Sequence, residues 1–275
     1  MSPNPLKRAL VGRVRAVFND QARGETPVQR SDDALFGPDD VIWRVHGDVT
    51  SMMVGGIAAL LMQMLHPAVL AGVWDHSNFR RDMLGRLRRT ARFIAQTTYG
   101  ARDDAEAAMA RVRRIHDAVT GTLPDGTPYH AGDPALLAWV HVTEATCFLA
   151  AWRRYGEPAM NGAAQDAYFD EFARIAIALG ADPVPRCRAE AETLITAMRP
   201  SLRVDERTTE VRRLILDARG QGALAPVQAM TAQAAVDLLP PWARAMHGLN
   251  APLLTRPLVR TGTLGLARSL RWAFS

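Results

Sequence analysis

Two cysteines, one lysine and no alternating apolar–polar run are the scarce features of this 275-residue chain, and each excludes something. Cys147 and Cys187 have no CxxC spacing, which argues against a disulfide framework and a cysteine zinc site. The absence of CxxCH excludes the usual covalent c-type haem attachment. Lys7 is the only lysine, so the net charge of +5 is almost wholly arginine. The pI of about 9.8 invites a nucleic-acid reading. Arginines are interleaved with Asp and Glu along helical segments, however, and no basic cluster alternates with aromatics, so no nucleic-acid partner is expected. GxSxG, HExxH, GxGxxG and P-loop signatures are all missing. The opening MSPNPLKRALVGRVRAVFND carries charges throughout and lacks the apolar core of a secretory signal, so a cytoplasmic protein is expected.

What is present is helical periodicity. With 48% apolar and 22% charged residues the chain has the composition of a folded globular protein. From Ser51 to Val73 there is no formal charge, long enough to ask whether the run spans a bilayer. Gly55-Gly56 weakens that helix, Gln63 would be placed in lipid, and Pro67 disfavours helical geometry at His66. The run is therefore expected to be a buried central helix broken near His66, with no integral membrane span. Other helices are expected over about 5–19, 78–99, 104–120, 135–155, 161–180, 186–199, 205–219, 226–238 and 256–273. TLPDGTPYHAGDP is read as a loop turning at Pro124-Asp125-Gly126. Asp133-Pro134 is the N-cap and first-turn proline of the helix that follows. The expected fold is all-α: a single-domain helical bundle around a broken apolar central helix. Peripheral membrane contact through the basic N-terminal helix stays open, and nothing in the sequence fixes an oligomeric state.

Three expected helices place polar groups on faces that should be buried. Over 104–120, Ala105, Ala108, Met109, Val112, Ile115, His116 and Val119 recur at steps of three and four, turning His116 toward the core. A hydrogen-bonded core histidine and an axial ligand to haem iron both fit that position. Over 78–99, Arg86 and Thr90 are neighbours at i, i+4 beside a face carrying Leu87, Phe93, Ile94 and Thr97. They suit either a carboxylate ligand or a solvated charge run. Over 135–155, His141 and Glu144 are one turn apart. A di-iron carboxylate bundle would need a second such motif, and only Tyr168, Asp170 and Glu171 offer nearby partners. A plain His–Glu contact that stabilises the bundle is the other reading.

Six phrases occur in order: HPAVLAGVWDHSNF (66–79), GRLRRTARFIAQTTYG (85–100), VRRIHDAVTG (112–121), Tyr129, LLAWVHVTEA (136–145) and LLPPWARAMHGL (238–249). In this order the chain resembles the DUF2236 family, which includes MpaB-type fungal oxygenases and, more distantly, latex-clearing rubber oxygenases. The resemblance implies an all-helical core over 41–249, preceded by an N-terminal helix and polar linker (1–40) and followed by a C-terminal helix packed on the core (250–275). It implies non-covalent haem b, dioxygen as co-substrate and a small apolar, isoprenoid-like substrate. It maps the axial, metal-ligating histidine onto His116 and a distal catalytic pair onto Arg86 and Thr90. Arg86, Arg89, His66 and His141 complete the expected cofactor-binding set. Arg89 stands where the rubber-cleaving branch has lysine, which counts against rubber as substrate. A helical protein that binds haem or an apolar ligand without turnover, and a non-haem di-iron oxygenase, are the alternatives.

Overall fold

A computed structural model describes residues 4–19, 24–217, 225–249 and 256–275. The helices are α1 (Pro5–Phe18), α2 (Val41–His46), α3 (Val49–Gln63), α4 (Pro67–His76), α5 (Met83–Tyr99), α6 (Arg102–Asp117), α7 (Pro134–Tyr155), α8 (Gly162–Leu179), α9 (Arg188–Met198), α10 (Glu206–Leu216), α11 (Ala225–Leu238), α12 (Pro241–Met246) and α13 (Arg256–Phe274). The fold is all-α and single-domain, with one two-stranded antiparallel hairpin among the described residues.

α3 and α7 form the central pair. They approach closely because α3 presents glycine where they cross: a Cβ on Gly55 would lie 2.9 Å from Phe148 Cδ1 and 3.0 Å from the Cys147 carbonyl. Around that contact Leu61, Met62, Trp139 and Val142 have no solvent exposure. Each large apolar side chain buried in this way contributes about 1.5–3 kcal/mol. Among the described residues α7 is the one unbroken helix long and apolar enough to cross a membrane, yet most of its apolar window is buried inside the protein.

The charge-free run breaks as the sequence predicts. α3 ends at Gln63, and α4 leaves at 106° to it from Pro67. Proline supplies no N–H, so the end of α3 is left with carbonyls to satisfy. Remote groups do this: His247 Nε2 lies 2.9 Å from the Leu61 carbonyl, and the Arg203 amide donates to that of Leu65 at 2.8 Å. At the other end Asp48 caps α3 through the Ser51 amide and receives Arg271 Nε at 2.7 Å, tying α13 to the core.

Several elements differ from the sequence reading. The helix expected from 78 starts at Met83, because Asp82 accepts the Gly85 amide and ends the preceding turn. The helix expected to reach 120 stops at Asp117, and Thr120–Thr122 (β1) pairs with Pro128–His130 (β2). The Pro124-Asp125-Gly126 turn closes that hairpin with Gly126 at φ +88°. The Tyr129 ring lies over Gly121, and its hydroxyl donates to Asp75 at 3.2 Å. The short helices α2 and α12 were not anticipated. Of the helix expected over 205–219, residues 218 and 219 lie outside the described residues.

Candidate functional site

α5, α6, α7 and α8 enclose a cavity of about 60 Å³. α5 supplies Phe93, Ile94 and Thr97; α6 supplies His116; α7 supplies Leu137, Val140, His141 and Glu144. Phe172, Ile175 and Leu179 of α8 close the far wall. The site is an apolar box carrying two imidazoles and one carboxyl.

His141 is buried, and its ring meets Phe172 edge to face at 4.7 Å. Burial pushes the imidazole down to about 4, so it is neutral at physiological pH. Its Nε2 has no hydrogen-bond partner, and neither does the buried Nδ1 of His116. Burial also lowers the His116 pKa, opposed by the neighbouring Asp117. Glu144, one turn beyond His141, is pushed up to about 7 by burial, against the Gln63 hydrogen bond and the Arg86 charge. Gln63, the last residue of α3, donates to the Val140 carbonyl at 3.3 Å and to Glu144 Oε1 at 3.4 Å. Trp139 Nε1 donates back to the Gln63 carbonyl at 3.4 Å. The polar residue that disfavoured a membrane span thus stitches α3 to the cavity wall.

Of the residues singled out from sequence, the fold gathers His116, His141 and Glu144. Arg86 is electrostatically coupled to Glu144, while its guanidinium donates to Ser77 Oγ at 3.0 Å. Arg89 lies on the exposed side of α5, 3.5 Å from Asp82. Thr90 is exposed, as are Leu87 and Ile115, so the open ends of the α5 and α6 stripes face solvent. His66 sits at the α3–α4 elbow with its Nδ1 buried and unpartnered, its pKa lowered by burial, against Asp133 and with Arg203. It does not line the cavity. His76 is exposed beside Tyr129.

The di-iron set does not assemble. Glu171 caps α2 through the Val41 and Ile42 amides, Asp170 pairs with Arg186 at 2.6 Å, and Tyr168 bonds His46. Among the described residues no group of three or more His, Cys, Asp or Glu side chains is arranged to hold a metal ion.

Besides Gln63, the sequence reading missed His46. Fully buried, it bridges Thr98 Oγ1 at 2.9 Å and Tyr168 Oη at 3.0 Å, and it packs edge-on to Phe172 behind the cavity wall. Burial, then the neighbouring His141, pushes its pKa down to about 3. Its partners lie 52 and 122 residues away, so nothing local signals it.

An all-helical domain with a largely apolar cavity and inward-facing neutral imidazoles defines a small-molecule or cofactor-binding class of protein. Residues 43–272, most of the chain, match the model of the ER-bound oxygenase mpaB/B'/Rubber oxygenase catalytic domain, and the protein belongs to that family. No curated protein and no solved structure matches the chain.

Proposed function

We propose that the protein is a haem-dependent oxygenase that uses dioxygen to oxidise a small apolar substrate. One observation carries this reading: two neutral imidazole nitrogens, His116 Nδ1 and His141 Nε2, are buried without partners in the wall of one apolar cavity, on an oxygenase scaffold. Leaving a buried polar atom unpaired costs about 1–3 kcal/mol, a cost that a bound ligand removes.

The donor chemistry fits haem. His116 would hold the iron through an imidazole presented from a largely apolar wall. Phe93, Ile94, Val140 and Phe172 offer faces to a flat apolar ring, and Arg86 is a nearby cation for a propionate. When bound, haem would supply the redox-active iron that activates dioxygen. Glu144 holds its proton near neutrality and, with Gln63 orienting it, can release or accept one at its carboxyl. The remaining walls exclude water and favour an apolar, isoprenoid-like substrate. A cavity of about 60 Å³ is smaller than a porphyrin, so loading requires α5 and α6 to move away from α7 and α8.

The test is spectroscopic. Protein titrated with hemin should develop a Soret band at one equivalent. His116→Ala should abolish it while circular dichroism stays helical, and His141→Ala should retain it. Stoichiometric iron without a Soret band, or an unchanged band in His116→Ala, overturns the assignment.

A further inference from the structure

Charge is not spread evenly over the molecule. α1, α5 and α13 carry four basic residues apiece and no Asp or Glu. The whole chain has a net charge of +5, so everything outside these three helices is net −7. α1 packs against both α13 and α5, which makes the three helices neighbours. Lys7 lies 5.1 Å over the Trp272 ring, and Arg88 reaches the Ala16 carbonyl at 2.7 Å. Some of the charge is spent internally: Arg256 and Arg260 bind Asp237, Arg271 binds Asp48 and Arg89 meets Asp82. Lys7, Arg8, Arg13, Arg15 and Arg268 have no carboxylate partner among the described residues.

The same helices expose apolar side chains. Leu6, Leu87, Leu258, Trp272 and Phe274 account for five of the eight exposed large hydrophobics among the described residues. On α13 the positions Leu258, Thr261, Gly265, Arg268 and Trp272 recur at steps of three and four, and all are exposed. A basic helical face with leucine and tryptophan on its rim is the chemistry that settles at the headgroup–acyl boundary of a bilayer. Anionic lipid attracts the cations while the apolar side chains insert.

We propose that the α1–α5–α13 face docks on an anionic lipid membrane. Nucleic acid shares the attraction to cations, but it gains nothing from exposed leucines. Docking would place the membrane against α5, whose Phe93, Ile94 and Thr97 line the cavity. An apolar substrate dissolved in lipid would then reach the site from that side. The docking proposal rests on the surface alone and does not depend on haem.

The experiment is co-sedimentation of the full chain with vesicles of phosphatidylglycerol in phosphatidylcholine, against phosphatidylcholine alone. The protein should pellet with the anionic vesicles and be released by 0.5 M salt. Combining Lys7→Gln, Arg8→Gln and Arg13→Gln should weaken binding roughly a hundredfold. The pair Leu258→Ser and Trp272→Ser should weaken it without removing charge. Circular dichroism confirms that the variants are folded. Equal binding to both vesicle types, undiminished binding by the folded triple variant, displacement from anionic vesicles by equimolar duplex DNA, or a face covered by a second copy in sedimentation equilibrium each overturns the proposal.

Discussion

Glu144 and the two buried histidines beside it oppose one another as pH changes. Burial raises the Glu144 carboxyl to about 7 from a usual 4.5, so between those values the native state holds a proton that the unfolded chain has lost. Its contribution is full below pH 4.5 and is lost as pH rises through 7. His46 and His141 are held at about 3 and 4 against a usual 6.5. Their contribution is full above pH 6.5 and is lost as pH falls toward 4 and 3. Two imidazoles outweigh one carboxyl by about 1–2 kcal/mol over this range, so Tm should drop by about 3–6 °C from pH 7 to pH 5. Glu144→Gln removes the opposing group. That variant should melt higher than the parent at pH 8 and lose stability more steeply on acidification, as thermal unfolding across pH will read. A parallel pair of Tm curves would mean that the Glu144 carboxyl is solvated.

Helix by helix, the sequence declared what local chemistry can declare. Asp133-Pro134 starts α7 and Pro67 breaks the central run, because caps and proline act within a turn; the Asp82 cap that starts α5 obeys the same rule and was passed over. α2 was illegible: it has six residues, too few for a period to register, and its N-terminal amides are satisfied by Glu171 some 130 residues away. The β1–β2 hairpin was illegible because three-residue strands show no alternation. At the site, His116, His141 and Glu144 were visible as polar interruptions of apolar stripes. Gln63 and His46 were not read as part of it, since only tertiary contact gives them partners. Gly55-Gly56 registered only as a weak spot in a helix, and the structure separates the pair. Gly55 faces the α7 backbone, whereas a Cβ on Gly56 would meet only Phe148 Cε1 at 3.7 Å. Gly55→Ala should therefore destabilise by about 1–3 kcal/mol through overpacking. Gly56→Ala should be neutral or stabilise by up to about 1 kcal/mol through helix propensity. Urea denaturation of the two variants decides the point, and equal effects would refute the close crossing.

Across the molecule, the cavity lies between the well-buried α7 and α8 and the more exposed α5 and α6. α7 and α8 bury twelve and seven residues, α6 only Ala105 and Met109, and α5 and α6 each leave one end exposed. If hemin enters by displacing α5 and α6, amide exchange in residues 83–117 should change on loading while 138–148 stays protected. Hydrogen-exchange mass spectrometry with and without hemin checks this. Protection that changes first in α7 would place the opening elsewhere.

The α3–α7 crossing also has a cost during synthesis. Gly55 leaves the ribosome 93 residues before the Phe148 that covers it. At about 5–20 residues per second, that is roughly 5–20 s in which a charge-free apolar helix lacks the α7 face that covers it. The central helix that organises the finished protein is thus open to aggregation while it is being made. Translation stalled before residue 134 should leave a chain that depends on chaperones to stay in solution.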